Sequence, residues 1–251
     1  MMFRLDGKVA LVTGAATGLG QAISVALARN GSSVAITDKN VEILSETEGL
    51  IEKKGGRSAS FSIDVRSLTQ VREGVAAVKT AFGRIDILIN NAGINRPAPG
   101  LEVTEENWED HFSTNVRGGF FMAQAVARGM IARKWGRIIF ISSQSGLIGI
   151  PGQPVYCATK GAVIQLARTL GIEWARHGIT VNAIAPTFVE TNLTRERLKN
   201  PKFRKFVLGK IPRGELALPE HIAAAAVYLA SDEAAMVNCD THRVDGGWTA
   251  W

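Results

Sequence analysis

The feature that most constrains this chain is a steady alternation of short segments rich in valine and isoleucine with longer segments of helical periodicity. The predicted strands are Val9–Thr13, Ser33–Thr37, Ser58–Ser62, Ile87–Asn90, Arg137–Ser142, Thr180–Ala185 and Thr241–Val244. The predicted helices are Leu19–Asn30, Val41–Lys54, Leu68–Phe82, Glu105–Val116, Phe120–Arg133, Val155–Ala175 and Glu220–Ala230. Strands that alternate with helices build right-handed βαβ units. The sequence therefore predicts an α/β fold with a doubly wound parallel sheet of about seven strands and helices on both faces.

We expect one domain over residues 1–251, because no linker rich in proline, glycine or serine divides the chain. The exception to the alternation is segment 187–218, which is longer than ordinary loops between strand and helix. From Arg195 to Arg213 it contains eight lysines or arginines and one acid, Glu196. We predict a substrate-binding lid, whose basic residues either face water or attract an anionic substrate or cofactor phosphates.

Composition excludes several functional classes. The net charge is +6, but the basic residues form no tract interleaved with aromatic side chains, so we expect no nucleic-acid partner. No apolar run has membrane-spanning length, and residues 1–8 lead into the first strand without a signal segment, so we expect no membrane partner. The two cysteines, Cys157 and Cys239, lack the spacing of metal ligands. They predict free thiols, a cytoplasmic location and no metal site.

A glycine-rich turn follows the first predicted strand. It reads Thr13-Gly14-Ala15-Ala16-Thr17-Gly18-Leu19-Gly20 and leads into the first predicted helix. Glycines let the backbone approach a pyrophosphate, and the free N–H groups at a helix N-terminus face such an anion. Position 23 is isoleucine, so the usual G-x-G-x-x-G pattern is not matched. The location between first strand and first helix nevertheless indicates a Rossmann-type dinucleotide site formed by Thr13, Gly14, Thr17, Gly18, Leu19 and Gly20.

Residues at the ends of the next strands extend this nucleotide site. Asp38 directly follows the second predicted strand, where a carboxylate can accept hydrogen bonds from both adenosine ribose hydroxyls and repel a 2′-phosphate. Asp38 therefore predicts NAD as cofactor. The positive charge of the adjacent Lys39 would weaken the preference for NAD over NADP. Asp38 would also suit an ordinary turn. The other predicted contacts are Asp64 and Val65 after the third strand, and Asn91, Ala92 and Gly93 after the fourth.

Together with later motifs, these residues resemble the short-chain dehydrogenases/reductases over the whole chain. The matching elements are T-G-x-x-x-G-x-G, N-N-A-G, Asn115, Ser143, Tyr156-x-x-x-Lys160, Asn182-Ala183-Ile184-Ala185-Pro186, Thr191 and Val244-Asp245-Gly246-Gly247. The resemblance implies an oxidoreductase that interconverts a secondary alcohol and a ketone by hydride transfer with nicotinamide. It also implies further cofactor contacts from Pro186, Thr187, Val189 and Thr191.

The proposed chemistry explains the residue types. Tyr156 and Lys160 are four positions apart, so they share one face of a helix. An ammonium about 4 Å from the phenol, at an effective dielectric near 20, favours phenolate by about 4 kcal/mol, which would bring the Tyr156 pKa close to neutrality. Tyr156 is then the general acid–base, and Ser143 orients the substrate oxygen. Ser142 is a rival for the serine role, but the thirteen-residue spacing to Tyr156 favours Ser143.

Other roles follow from the resemblance alone. Lys160 would also hold the nicotinamide ribose together with Tyr156, and Asn115 would hold a water in a proton relay behind that lysine. Asn95 and Arg96, after the N-N-A-G segment, resemble the branch acting on sugar acids, such as gluconate and deoxygluconate dehydrogenases. An arginine there would pair a carboxylate through two hydrogen bonds.

The substrate is less constrained than the chemistry. Gln144, Ser145 and Gln153 offer polar groups near the predicted pocket, and segment 246–251 resembles the tail of polyol and sugar dehydrogenases, which packs near a neighbouring active site. We predict a small-molecule substrate that is a polyol, sugar or sugar acid. Its predicted contacts are Ser143, Ser145, Gln153, Asn95 and Arg96. The alternatives are a 3-oxoacyl-thioester reductase, which NADP use would favour, and a cofactor-binding regulator without turnover.

Two predicted helical regions, 105–133 and 155–175, have long apolar faces. The apolar residues are Phe120, Phe121, Met122, Val126, Val163, Ile164, Leu166 and Leu170. In the family that this chain resembles, the equivalent helices pair across a two-fold axis as a four-helix bundle. We therefore expect a homo-oligomer, at least a dimer and more specifically a tetramer with D₂ symmetry.

Overall fold

The computed structural model describes residues 2–250, in which seven strands form one parallel sheet. The strands are β1 Val9–Thr13, β2 Ser33–Asp38, β3 Ser58–Ser62, β4 Ile87–Asn90, β5 Gly136–Ile141, β6 Ile179–Pro186 and β7 Thr241–Val244. Their order is β3-β2-β1-β4-β5-β6-β7, so the winding direction reverses between β1 and β4. In open α/β sheets, ligands bind at such a reversal, outside the carboxyl ends of the strands. The predicted doubly wound parallel sheet is confirmed.

Helices cover both faces of this sheet. They are α1 Gly18–Arg29, α2 Ser45–Glu52, α3 Leu68–Phe82, α4 Glu105–Phe112, α5 Gly119–Arg133, α6 Pro154–Trp174, α7 Arg195–Leu198, α8 Pro201–Lys210 and α9 Pro219–Ala230. One apolar cluster joins α1, α2 and α9 to one face, and a second joins α3, α5 and α6 to the other. Every residue of β5 and β6 is buried, as expected for central strands covered on both sides.

Two predicted helices have different local geometry in the structure. The predicted helix Val41–Lys54 begins as a 3₁₀ turn, Val41–Leu44, in which the Asn40 side chain accepts the Glu42 N–H, and α2 starts only afterwards. The predicted helix Glu105–Val116 ends as α-helix at Phe112 and continues as a π-helical segment, Ser113–Gly118. Such wider turns occur frequently at functional sites.

Segment 187–218, predicted as a lid, contains the two short helices α7 and α8. Leu198, Val207 and Ile211 from this segment pack against Ile150 and Trp248 in a third apolar cluster. A bridge between Val189 and Ala217 joins the two ends of the segment. Trp251, the last residue of the predicted tail, lies outside the described residues. Within residues 2–250, no helix is both long enough and apolar enough to cross a membrane.

Candidate active site

A cavity of about 360 Å³ lies at the carboxyl edge of the sheet, where the winding direction reverses. It brings together most of the residues that the sequence predicted for the nucleotide and for catalysis. Those lining it are Gly14, Thr17, Gly18, Leu19, Asp38, Lys39, Asp64, Val65, Asn91, Ala92, Gly93, Arg96, Ser143, Tyr156, Lys160, Pro186 and Thr191. Predicted residues that do not line it are Thr13, Gly20, Asn95, Asn115, Ser145, Gln153, Thr187 and Val189. A single cleft therefore joins the predicted cofactor site to the predicted catalytic residues.

The glycine-rich turn has the geometry of a phosphate cradle. Gly14 and Gly18 have φ angles of +63° and +59°, which favour glycine, and a Cβ on Gly20 would lie 2.1 Å from the Gly14 carbonyl oxygen. Thr17 is the N-cap of α1 without a side-chain cap bond, so the first N–H groups of α1 are free for an anion. The turn therefore fits the pyrophosphate of a dinucleotide.

Thr13 and Asn91 support this cradle from behind. The Thr13 Oγ1 accepts the N–H groups of Asn91 and Ala92 at 3.0 and 3.1 Å. The Asn91 Nδ2 donates to the carbonyls of Thr13 and Gly14 at 3.0 and 2.9 Å. Thr13 is only 1% exposed, so it fixes the cradle to the end of β4 instead of facing the cavity.

Two acidic side chains, Asp38 and Asp64, line the cavity near the ends of β2 and β3. Burial raises the pKa of Asp38, and the Lys39 N–H donates to its Oδ1 at 2.8 Å. Hydrogen bonds from the Arg66 guanidinium hold the pKa of Asp64 below its ordinary value. Arg66, which the sequence did not indicate, lines the cavity beside Asp64 and Val65.

Three predicted catalytic side chains converge from β5 and α6. Ser143 follows β5, and its Oγ accepts the Ser145 N–H at 3.1 Å. Tyr156 and Lys160 lie in the first turns of α6, with the Lys160 Nζ 5.6 Å from the Tyr156 ring centroid. The Ser142 hydroxyl donates to the Lys160 carbonyl at 2.9 Å. Because that bond occupies Ser142, the structure favours Ser143 for the serine role.

The acidity of these groups differs from the sequence-based expectation. Burial raises the pKa of Tyr156 to about 12, while a hydrogen bond with Ser143 acts in the lowering direction. The expected phenolate near neutrality is therefore not a property of the protein alone. The Lys160 Nζ donates to the Ile141 carbonyl at 2.8 Å. Burial also lowers the pKa of Lys160 to about 8.

Asn115 lies in the π-helical segment and connects three parts of the site. Its Oδ1 accepts the Ile94 N–H at 2.8 Å, and its Nδ2 donates to the Ile94 carbonyl and to Thr159 Oγ1 at 3.0 and 3.1 Å. A small cavity of about 10 Å³ lies between Asn115 and Lys160, which is close to the space that one water requires. Asn115 therefore fixes the loop after β4 near Lys160.

The predicted substrate residues are already partly engaged with one another. The Asn95 Nδ2 donates to the Gln153 Oε1 at 2.7 Å, and Arg96 forms an ion pair with Asp110. The expected pairing of Arg96 with a substrate carboxylate therefore competes with Asp110 on α4. Ser145 is 5% exposed and supports Ser143 through its backbone N–H.

His111 on α4 is a buried residue that the sequence did not indicate. Its Nε2 accepts the Arg96 N–H at 3.1 Å, so the Nδ1 carries the proton and donates to the Asn107 carbonyl at 2.7 Å. The ring centroids of His111 and Tyr156 are 6.5 Å apart. His111 thus positions the loop that bears Arg96. Its spacing along α4 gave no signal of this contact.

Both cysteines are free thiols. Among residues 2–250, no three histidine, cysteine, aspartate or glutamate side chains come together in a metal-binding arrangement.

Comparisons with known proteins agree with this geometry. The family model described as enoyl-(acyl carrier protein) reductase matches residues 14–249. The chain is 42% identical to D-threitol dehydrogenase of Mycolicibacterium smegmatis, covering 98% of this chain and 95% of that protein. It is 40% identical to gluconate 5-dehydrogenase of Gluconobacter oxydans, covering 99% and 97%. It is 39% identical to a 3-oxoacyl-[acyl-carrier-protein] reductase of Thermotoga maritima, covering 97% and 98%.

A similar solved structure is that of a gluconate 5-dehydrogenase from Burkholderia cenocepacia in complex with NADP and tartrate. Its TM-score to this chain is 0.96 at 37% identity, covering 99% of this chain and 98% of that one. These full-length similarities confirm the resemblance that the motifs indicated. This chain belongs to the short-chain dehydrogenase/reductase family.

Proposed function

We propose that this protein is an NAD-dependent dehydrogenase that interconverts a secondary alcohol and a ketone of a polyol, sugar or sugar acid. The observation that carries the proposal is that Ser143, Tyr156 and Lys160 line the same cavity as the glycine-rich cradle and Asp38. Asp38 would hold the adenosine ribose of a bound dinucleotide, and the turn at Gly14 would hold its pyrophosphate. Ser143 and Tyr156, which line the same cavity, would then hold the oxygen of the substrate's reacting carbon.

In the proposed mechanism each side chain acts on one proton or one oxygen. Ser143 receives the Ser145 N–H on its Oγ, which leaves its own proton for the substrate oxygen. Tyr156 accepts the carbinol proton during oxidation and returns it during reduction. Lys160, with its pKa near 8, is mostly cationic at neutral pH and favours the phenolate. When bound, oxidised nicotinamide would supply the hydride acceptor and a further positive charge.

NAD is proposed over NADP because of the charge at the end of β2. The partly buried Asp38 carboxylate lines the adenosine end of the cavity and would lie close to a 2′-phosphate. Lys39 is exposed and acts in the opposite direction. The solved relative with NADP bound shows that this family scaffold also holds the phosphorylated cofactor. Measured kcat/KM values for the two cofactors decide between them.

The carbohydrate assignment is supported by the relatives named for D-threitol and gluconate. The polar residues after β4 and β5 also suit hydroxylated substrates better than acyl chains. Reduction of a 3-oxoacyl thioester is the alternative, because a relative carries that name at similar identity. A regulator without turnover is disfavoured, since Asn115, Ser143, Tyr156 and Lys160 are all present.

The test is reduction of NAD or NADP by purified protein with polyols, sugars, sugar acids and 3-hydroxyacyl thioesters. Turnover with NAD on a carbohydrate supports the proposal. Turnover confined to NADP and thioesters would replace it with the alternative. Cofactor binding without turnover of any compound would favour the regulator.

We also propose that the chain forms a homo-oligomer through α5 and α6, as a D₂ tetramer. A groove between these helices is lined by apolar side chains from both. They include Phe120, Ile131, Leu166, Leu170 and Trp174. Such a surface suits an isologous contact with a second copy. Light scattering should give the mass of four chains, and substitution of Phe120 by glutamate should lower it.

Three further predictions of the sequence stay proposals. Residues 1–251 are proposed to form a single domain. Segment 187–218 is proposed to close over the substrate, because Thr191, Asn192 and Leu193 line the cavity. A cytoplasmic location stays a prediction from the two cysteines.

A further inference from the structure

Helix α4 holds the loop after β4 at Arg96. The Arg96 N–H donates to the His111 Nε2 at 3.1 Å, and the Arg96 carbonyl accepts from the Asn107 Nδ2 at 3.1 Å. The Arg96 guanidinium forms an ion pair with Asp110 on the same helix. Arg96 lines the cavity that also contains Tyr156. The side chains of α4 therefore fix one wall of this cavity.

His111 is the most deeply buried of these three α4 side chains. It is 0% exposed, and both of its ring nitrogens form hydrogen bonds. The Nδ1 donates to the carbonyl of Asn107, one helical turn earlier, at 2.7 Å, so the ring cannot rotate without losing a bond. A buried polar group whose hydrogen bonds are all made favours a single geometry. His111 therefore fixes the Arg96 N–H relative to α4.

The same imidazole contacts Tyr156 on α6. The two ring centroids are 6.5 Å apart and the ring planes meet at 73°, which is the edge-to-face arrangement that aromatic rings prefer. A hydrogen bond with Ser143 holds the other end of Tyr156, at the phenol oxygen. A displacement of about 1 Å in a reacting group can lower a rate about 100-fold. The contact with His111 therefore bears on the position of the phenol.

We propose that His111 is a positioning residue that sets the Tyr156 ring and the Arg96 loop relative to each other. His111 does not line the cavity, so it acts through these two neighbours and not on substrate or cofactor. Its ring edge positions the phenol, and its Nε2 positions the loop. The inference rests on the proposed dehydrogenase function and adds a residue to its active site.

Two substitutions separate these contacts. His111→Phe keeps a ring beside Tyr156 but leaves the Arg96 N–H without its acceptor. Substrate binding must then order the loop, so KM for the substrate should rise about tenfold at nearly constant kcat. His111→Gln keeps an acceptor for the N–H but removes the ring, so kcat should fall about fivefold at nearly constant KM.

The assay follows reduction of NAD by D-threitol or gluconate, whichever the wild-type protein oxidises faster. Calorimetry gives the NAD affinity, which should equal that of wild type in every variant, and the fraction of chains that bind NAD. His221→Gln is the matched control, because His221 is exposed on α9 and its Nδ1 also accepts a backbone N–H, that of Leu218, at 3.2 Å. This control should keep the wild-type kcat and KM.

Asn107→Ala gives a second reading should the buried His111 variants fail to fold. Asn107 is half-buried, and its side chain bonds the Arg96 carbonyl, so this variant should raise KM while kcat stays constant. A wild-type KM in Asn107→Ala would overturn the positioning of the loop by α4.

Unchanged kcat and KM in folded His111 variants would overturn the positioning role. Equal falls in kcat for His111→Phe and His111→Gln, with constant KM and a lower fraction of NAD-binding chains, would also overturn it, because a purely structural role has that result. Absence of wild-type turnover with both substrates and both cofactors would overturn the proposed function and this inference together.

Discussion

Replacing Lys160 by methionine should stabilise the protein at neutral pH while removing its activity. The ammonium is 5% exposed, and burial lowers its pKa from 10.5 to about 8. That difference corresponds to about 3 kcal/mol against the charged form in the folded state. The substitution also removes the hydrogen bond from the Lys160 Nζ to the Ile141 carbonyl, and this loss offsets about half of the free energy gained by removing the charge. The net gain is about 1 to 2 kcal/mol, or a rise of several degrees in Tm.

The pH dependence distinguishes this explanation from better packing alone. The pKa of Lys160 is lower in the folded state than in the unfolded state. The destabilisation of the folded protein by the buried Lys160 charge is therefore fully present below pH 8 and disappears as pH rises to 10.5. Wild-type stability should therefore rise across that window, and the rise should be missing in Lys160→Met. Tyr156, whose pKa is raised to about 12, contributes stability that is lost only above pH 10.

The assay is urea unfolding of the cofactor-free protein at several pH values between 7 and 10, with kcat measured in parallel. A variant no more stable than wild type at pH 7 would refute the buried-charge reasoning. A gain that stays constant up to pH 10 would also refute it, because packing does not titrate.

Three other substitutions test separate parts of the site. Asp38→Ala should lower kcat/KM with NAD by about tenfold or more, because ribose hydrogen bonds are lost, and should raise kcat/KM with NADP. An unchanged ratio of the two kcat/KM values would contradict the assigned role of Asp38. Gly20→Ala should abolish NAD binding in calorimetry, because its Cβ would lie 2.1 Å from the Gly14 carbonyl oxygen. The control Gly49→Ala, whose Cβ has nothing within 4 Å, should bind NAD normally and gain about 0.5 kcal/mol of stability. Equal NAD affinities of the two variants would contradict the assignment of the glycine-rich turn as the phosphate site. Asp110→Asn should lower KM for gluconate more than for D-threitol, because it releases Arg96 from its ion pair; equal changes would show that Arg96 does not reach the substrate.

Much of the fold follows from local sequence pattern. The strands β1, β3, β4 and β7 have the predicted bounds. β1 and β4 are short apolar or β-branched runs, whereas β3 and β7 are more polar and were predicted from their place in the alternation of strands and helices. The helix predicted from Val41 starts late, since the Asn40 side chain caps a 3₁₀ turn there. The π-helical segment around Asn115 depends on bonds to Ile94 and Thr159, which are distant in sequence. Periodicity contains no information about such contacts.

The same division applies to the candidate site. The glycine-rich turn could be predicted from its place between the first strand and the first helix. The Tyr156–Lys160 pair could be predicted from the family resemblance, and its spacing puts both residues on one helix face. The pairing of Arg96 with Asp110 could not, because it depends on how α4 packs against the loop after β4. The raised pKa of Tyr156 also escaped prediction, because it reflects burial and not the spacing to Lys160.

The most direct test of the proposed chemistry is Tyr156→Phe, which removes one hydroxyl and leaves the ring in place. Turnover of a carbohydrate substrate with NAD should fall by about 100-fold or more, while calorimetry shows unchanged NAD affinity. That result is expected if the phenol transfers the proton. Turnover equal to wild type with intact NAD binding would contradict the assignment of Tyr156 as the general acid–base.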